Sequence, residues 1–355
     1  MQTFEEYHGK SRVAYLDGLR AISVIMVIWH HLFMDLQEYF HGALGVNLFF
    51  FISGLIITTL LLREQTEMGR VSFRAFFIRR TLRIMPLYYV FLVLHIAHFY
   101  TPSLHLYEFH LDLKQVIYAL LFFYQEVPFL LDSPVMPFPH SWSLGIEEKF
   151  YLVWPFLGFY LFVNYPRWRL WLTLALAVGL KWNPSSHAEL FGNYAYIFYG
   201  CFTALLLEWR SAFEVLQSVF KRGFWQPLCL VGILYIHTHS AADYHAVMNW
   251  FGPVWVLTWL AMTFGPKKSL RWLEWRPLVF IGELSYGIYL CHLLVQVFVT
   301  KYLFPAFLKG DYSWPSRLGA FAVCLVLSVG IATVFRRLVE RPCINFGRKL
   351  ASKFS

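Results

Sequence analysis

Apolar runs of about 20 residues recur along the whole chain, and this is the length that an α-helix needs to cross a bilayer. Hydrophobic residues make up 58% of the 355 residues, whereas charged residues make up only 14%. No soluble globular protein of this length needs so much apolar surface. The sequence therefore predicts an all-α polytopic membrane protein.

The apolar runs predict about ten transmembrane helices. They cover residues 14–36, 43–62, 84–100, 141–163, 168–181, 190–208, 226–239, 247–264, 277–300 and 316–336. The stretch 114–131 is also apolar, but Gln125, Glu126 and Pro128 interrupt it. We predict an interfacial or re-entrant segment there, with an eleventh span as the alternative. No linker or low-complexity stretch separates the spans, so residues 1–355 are predicted to form a single transmembrane domain.

The basic residues are distributed unevenly along the chain. With a cytoplasmic N-terminus, ten spans place most of the 30 lysines and arginines on the cytoplasmic side, as the positive-inside rule requires. A full crossing at 114–131 would invert every later loop and destroy this pattern. We therefore expect a multi-pass protein of the plasma (inner) membrane with both termini in the cytoplasm. The net charge of +9 then reflects topology and contact with membrane lipids, and it does not predict nucleic-acid binding.

Arg20 and His31 are eleven residues apart in the first apolar run. Because an α-helix turns about 100° and rises ~1.5 Å per residue, both side chains share one face, roughly 16 Å apart along the axis. Ionisable residues at membrane depth are costly, so a functional role is the first hypothesis for them. The structural alternative is that His31 forms a helix–helix hydrogen bond and Arg20 snorkels to the interface.

Residues 63–83 are predicted to form an amphipathic arm on the cytoplasmic side, because aromatic and basic residues alternate there at helical spacing. Arg83 shares one face with Arg80 and with Arg79. Guanidinium groups in this arrangement suit bidentate phosphate binding. The alternative is a helix that lies on anionic lipid headgroups.

The span 141–163 contains two adjacent carboxylates and a lysine. We predict a structural ion pair between Glu148 and Lys149. Glu147 lies on a different face and is the better candidate to orient an imidazole or to accept its proton.

Ser285 and His292 lie seven residues apart on one face of the span 277–300. We predict that they contact substrate, although a lone helix histidine is more often a core residue whose hydrogen bonds are satisfied. No paired His or Cys spacing suggests zinc, so no metal is expected.

Depth along the predicted spans separates these groups. The arginines lie near the cytoplasmic edge, whereas His31, Glu147 and His292 fall in the outer half of the membrane. A ligand with a phosphate-bearing head and a long reactive arm would span that gap. Coenzyme A in its thioester form has this shape and charge, so the residues point to acyl-CoA as a donor substrate.

Several motifs in this order and spacing resemble those of the acyltransferase-3 family of membrane acyltransferases, over essentially the whole chain. They are Asp17–Gly18–Leu19–Arg20 followed by His31, Gly45–Val46 through Phe51–Ile52–Ser53–Gly54, Arg80–x–x–Arg83–Ile84–x–Pro86, Trp142–Ser143–Leu144 to Glu147–Glu148 running into Phe150–Tyr151–Leu152, and Ser285–Tyr286–Gly287–Ile288–Tyr289–Leu290 with His292.

The resemblance implies transfer of an acetyl or similar acyl group from cytoplasmic acyl-CoA, such as acetyl-CoA, to a hydroxyl group. The acceptors that it implies are carbohydrates or lipid-linked glycans outside the cytoplasm, with small secondary metabolites of the macrolide type as the alternative. The family's arginine-plus-histidine motif maps onto Arg20 and His31, and its paired-arginine motif maps onto Arg80 and Arg83.

We therefore expect Arg80 and Arg83, with Arg20 and Arg79, to hold the donor phosphates. His31 would act as a general base or carry the acyl group itself, and Glu147 would hold its tautomer. A membrane transporter is the non-enzymatic alternative. It would show repeat symmetry between its halves, and the sequence has no strong internal repeat.

Overall fold

The computed structural model describes residues 3–9, 14–33, 36, 41–99, 120–123, 138–182, 188–239, 244–304 and 313–354. Over these residues the chain is helical and has no β-strand, which confirms the all-α prediction. The predicted re-entrant segment 114–131 lies outside the described residues except for 120–123.

Thirteen α-helices lie within the described residues. In chain order they are α1 (Phe4–His8), α2 (Ala14–Leu32), α3 (Leu44–Met68), α4 (Phe73–Phe99), α5 (Trp142–Phe156), α6 (Pro166–Lys181), α7 (Ala188–Glu208), α8 (Arg210–Phe220), α9 (Trp225–His239), α10 (Tyr244–Phe264), α11 (Arg276–Phe298), α12 (Trp314–Phe335) and α13 (Arg341–Ala351). Pro139–Ser141 and Lys267–Glu274 are 3₁₀ helices, and Leu157–Leu161, Val299–Leu303 and Arg336–Glu340 are π-helical turns.

Each predicted span coincides largely with one of these helices, from α2 to α7 and from α9 to α12. Four stretches within the described residues are long and apolar enough to cross a membrane by length and composition alone. They are Leu44–Met68, Phe73–His98, Arg276–Leu303 and Trp314–Ala351. The helical segments are therefore confirmed, whereas the count of about ten spans is not.

The predicted boundary between the amphipathic arm and the third span is wrong. Residues 63–68 form the end of α3. Residues 73–83 form the first turns of α4, which continues without a break to Phe99. No residue between Phe73 and Arg83 breaks a helix, and Pro86 lies inside α4 without ending it. The arginines predicted to lie on a separate arm therefore belong to a candidate membrane-crossing helix.

The chain divides into two compact units, and each is described by itself. The first unit comprises Met1–Arg70 with Leu157–Ser285, and the second comprises Val71–Phe156 with Tyr286–Ser355. Helix α11 contributes residues to both. The prediction of a single domain over residues 1–355 stays a prediction.

In the first unit, α3 packs tightly against α7. A side-chain carbon added to Gly54 would lie 2.0 Å from the carbonyl oxygen of Ile197, and one added to Gly200 would lie 2.1 Å from that of Phe51. Both distances are far below van der Waals contact, so these two glycines allow the helix backbones to approach each other closely. An alanine at either position would force the helices apart.

Helix α1 is held against the ends of α7 and α8 in the same unit. His8 Nε2 lies 3.0 Å from Glu208 Oε2, and Arg210 forms an ion pair with Glu5 at 3.2 Å. The ring of Phe4 packs edge-on against Phe213, with ring centroids 5.3 Å apart. Ion pairs and aromatic packing together attach this short helix to the unit.

In the second unit, the chain after α13 returns to the start of α4. Ser72 Oγ donates a hydrogen bond of 2.6 Å to the carbonyl of Phe354, and the Arg74 guanidinium lies 4.7 Å from the centre of the Phe354 ring. The C-terminal part of the described chain thus packs against the helix that carries the arginine motif.

Candidate functional site

Helix α2 in the first unit carries Arg20 and His31. Arg20 lies 3.5 Å from Asp17, three residues earlier on the same helix, and both side chains are largely buried. Asp17 is fixed by close packing, because a side-chain carbon on Gly282 of α11 would lie only 1.8 Å from its carbonyl oxygen. The part of α2 that carries Arg20 is therefore anchored by an ion pair within α2 and by tight contact with α11.

The imidazole of His31 has a defined orientation. Its Nδ1 lies 2.9 Å from the carbonyl oxygen of Val27, four residues earlier. A carbonyl can only accept a hydrogen bond, so Nδ1 carries the proton and Nε2 carries the lone pair in the neutral ring. This is the protonation state that a general base or a nucleophile needs. The carbonyl of Val27 can set the tautomer by itself, so the role predicted for Glu147 as the partner of His31 stays a prediction.

The three arginines of the motif lie in the first turns of α4, in the second unit. Arg79 and Arg80 are half-buried, and Arg83 is exposed. The Arg80 guanidinium lies 5.8 Å from the centres of the Phe76 and Tyr151 rings. Aromatic faces attract a guanidinium group and limit its motion. Two aromatic faces therefore restrict the Arg80 guanidinium.

Helix α5 carries both carboxylates and Tyr151, whose ring centre lies 5.8 Å from the Arg80 guanidinium. Glu147 accepts a hydrogen bond of 3.2 Å from the Tyr151 hydroxyl. The predicted pair of Glu148 with Lys149 is not found in the described part of the chain. Lys149 instead donates to the main-chain carbonyls of Phe123 and Gly145. The structure thus joins Arg80 to the carboxylate segment through Tyr151.

Ser285 and His292 are fully buried on α11, with no exposed surface. His292 Nδ1 donates to the carbonyl of Tyr289 at 2.7 Å, and the His292 ring packs against that of His140 with centroids 4.7 Å apart. This environment resembles a core histidine more than a ligand contact. The prediction that the two residues bind substrate stays untested.

Sequence reasoning missed a cluster of buried histidines in the second unit. His95, on α4, lies beside His140, with ring centroids 5.4 Å apart, and stacks on Phe138 at 4.0 Å. His140 in turn contacts His292. The three histidines come from distant segments with no shared spacing, so no sequence signal could group them. Within the described ranges, no group of three or more His, Cys, Asp or Glu residues is arranged to hold a metal ion.

Comparisons with known proteins connect these groups to a family. Residues 13–337 match the acyltransferase-3 family, described as "Acyltransferase domain". No solved structure matches the chain.

Two of the similar proteins come from Staphylococcus aureus. "Putative O-acetyltransferase SACOL0978" of strain COL is 29% identical over 377 residues, which cover 98% of this chain and 59% of the relative. "O-acetyltransferase OatA" of strain NCTC 8325 / PS 47 is 26% identical over 363 residues, which cover 94% of this chain and 57% of the relative. The chain therefore spans a little over half the length of the curated relatives that it matches.

Proposed function

Because the chain belongs to the acyltransferase-3 family, we propose that it is a membrane O-acetyltransferase. In this proposal it moves an acetyl or other short acyl group from cytoplasmic acyl-CoA to a hydroxyl group on an extracytoplasmic glycan. The observation that carries the proposal is the family match over residues 13–337, which includes both the α2 pair and the arginines of α4. The O-acetyltransferase names of the similar proteins support acetyl as the transferred group.

The arginines of α4 are the proposed binding site for the donor. Coenzyme A carries several phosphate groups, and guanidinium groups bind phosphate with two parallel hydrogen bonds. The Arg80 guanidinium lies 5.8 Å from the centres of the Phe76 and Tyr151 rings. These contacts already restrict the side chain, so less entropy is lost when it binds an anion. Arg79 and Arg83 add charge on the same stretch of helix, and Arg20 adds charge on α2.

His31 is the proposed catalytic residue. The acceptor hydroxyl gives its proton to Nε2 while its oxygen attacks the thioester carbonyl carbon. The carbon–sulfur bond breaks, and the coenzyme A thiolate takes the proton from the imidazolium. In the covalent alternative, Nε2 attacks the thioester carbonyl carbon and the coenzyme A thiolate leaves. The acceptor oxygen then attacks the acyl-imidazole, the bond from the acyl carbon to Nε2 breaks, and the hydroxyl proton passes to the thiolate. The hydrogen bond from Nδ1 to Val27 supports both routes, because it leaves the lone pair on Nε2.

The acceptor and the location complete the proposal. An acceptor outside the cytoplasm fits a chain whose basic residues predict cytoplasmic termini in the plasma membrane. A sugar hydroxyl of a glycan or lipid-linked glycan is the first candidate. A small hydroxylated metabolite is the alternative.

The test is the fate of labelled acetyl-CoA with the purified protein in lipid vesicles. We expect release of free thiol that increases when a polysaccharide acceptor is added, with label recovered on the acceptor as an ester. A panel of macrolide-type alcohols in place of polysaccharide distinguishes the two acceptor classes. Intact acetyl-CoA with every acceptor would contradict the enzyme proposal, and movement of unchanged solute into the vesicles would favour the transporter alternative.

A further inference from the structure

Four residues in one short segment of α11 contact three different helices of the second unit. The segment is Tyr286–His292. Tyr286 contacts α4, Gly287 packs against α4 and α12, Tyr289 contacts the start of α5, and Cys291 contacts α12. The segment therefore lies where the arginine-bearing helix and the carboxylate-bearing helix meet α11.

Tyr286 fixes the part of α4 that carries the arginines. Its hydroxyl donates a hydrogen bond of 2.9 Å to the main-chain carbonyl of Ile84, the residue directly after Arg83. Pro86 follows two residues later and cannot donate a backbone hydrogen bond. The helix is therefore less constrained by its own bonds at this point, and an external donor fixes its course where the arginines end.

Tyr289 fixes the start of α5 in a similar way. Its hydroxyl lies 2.6 Å from the carbonyl of His140 and 2.7 Å from Ser143 Oγ. The carbonyl can only accept, so the Tyr289 hydroxyl donates to the carbonyl of His140 and accepts a hydrogen bond from the Ser143 hydroxyl. Glu147 lies one helical turn beyond Ser143. Tyr289 thus anchors α5 just before its carboxylates.

The two tyrosines act together because they are three residues apart, on one face of α11. Gly287 between them leaves little room for movement, since a side-chain carbon there would lie 3.1 Å from Ala332 Cβ. A shift of α11 would therefore disturb both bonds at once. The same segment sets the positions of Arg80 on α4 and of Glu147 on α5.

We propose that Tyr286 and Tyr289 are positioning residues for the acyl transfer: Tyr286 holds the donor-binding arginine segment of α4, and Tyr289 holds the carboxylate-bearing start of α5. This inference rests on the proposed function. It gives the tyrosines of the Ser285–Leu290 motif a task that differs from substrate contact.

The test compares three Tyr→Phe variants, each of which loses a hydroxyl and keeps the ring. Tyr286→Phe is expected to raise both the KM for acetyl-CoA and the Kd for coenzyme A by about three- to tenfold, the range for loss of one hydrogen bond, with kcat unchanged. Tyr289→Phe is expected to lower kcat by about three- to tenfold with the Kd for coenzyme A unchanged. The matched control is Tyr88→Phe on α4, because Tyr88 donates a buried hydrogen bond of 2.8 Å to the carbonyl of Leu120.

The control separates positioning from general stability. We expect all three variants to lower the unfolding temperature by a similar amount, and Tyr88→Phe to leave KM and kcat at the wild-type values. Equal changes of KM and kcat in all three variants would overturn the positioning role, and so would unchanged KM and kcat in Tyr286→Phe and Tyr289→Phe. In either case the proposed function stands as long as the wild-type protein turns over acetyl-CoA. Absence of wild-type turnover would overturn both.

Discussion

His31 on α2 and His292 on α11 make the same kind of local bond in very different surroundings. In both, Nδ1 donates to a main-chain carbonyl of the residue's own helix, at 2.9 Å for His31 and 2.7 Å for His292. His31 remains partly exposed, whereas His292 has no exposed surface and packs against another histidine ring. The comparison teaches that the local bond sets the tautomer of an imidazole, while its neighbours decide whether a substrate can reach it.

The largest effect expected from this comparison is the loss of activity in His31→Ala. A positioned general base contributes about 10²–10⁴-fold to rate, so thioester consumption should fall by that factor with folding retained. The matched control is His237→Ala, because His237 Nδ1 makes the same local bond, to the carbonyl of Ile233 four residues earlier, at 2.9 Å. Acetyl transfer at the wild-type rate by His31→Ala would rule out the catalytic role.

Removal of the Arg80 guanidinium should weaken donor binding. A hydrogen bond to a charged group contributes about 1.5–3 kcal/mol, so Arg80→Ala should raise the KM for acetyl-CoA by about 10- to 100-fold. Arg74→Ala is the control, since Arg74 lies on the same helix but its guanidinium packs on Phe354. Titration of coenzyme A by calorimetry checks the binding directly. Equal affinity in both variants would contradict the phosphate assignment.

For His292, the buried histidine of α11, we expect a loss of stability and little change in activity, in contrast to His31. His292→Ala removes a fully buried ring and should lower the free energy of unfolding by about 1–3 kcal/mol, measured by denaturant titration in detergent. The kcat and KM of the folded fraction should stay close to wild type. A raised KM for the acceptor in a variant of normal stability would instead support the prediction that His292 binds substrate.

The smallest expected effect concerns the His8–Glu208 pair, which holds α1. Burial works to lower the pKa of His8, but its hydrogen bonds to Glu208 and to the carbonyl of Phe4 outweigh burial and raise that pKa above its ordinary value. The stability from this pair is therefore fully present below the ordinary pKa of about 6.5. It is lost as pH rises through the raised pKa.

Hydrogen exchange of the α1 amides measures this loss. We expect faster exchange at pH values above the raised pKa, with a change of less than about 1 kcal/mol because the pair is partly exposed. Glu208→Gln should remove the pH dependence, whereas Glu5→Gln, which breaks the Arg210 pair, should leave it in place. A pH dependence that survives in Glu208→Gln would show that another group holds α1.

Helix α4 illustrates how far sequence reasoning reaches. Its arginine spacing predicts a surface arm and its apolar run predicts a separate span, because charge indicates a surface and hydropathy indicates a membrane. The structure joins them in one helix from Phe73 to Phe99. Local hydrogen bonding continues through Arg79–Arg83 whatever the polarity of the side chains, so polarity alone placed the boundary wrongly.

The sequence by itself determined the helical segments, the common face of Arg20 and His31, and the family motifs, because all of these follow from the spacing of residues along one helix or one chain. The tertiary structure alone decided which distant residues meet. It brought His95, His140 and His292 into one cluster, the Arg80 guanidinium to 5.8 Å from the centres of two aromatic rings, and the Tyr289 hydroxyl to the start of α5. These contacts depend on how closely helix backbones approach one another, which helical periodicity does not encode.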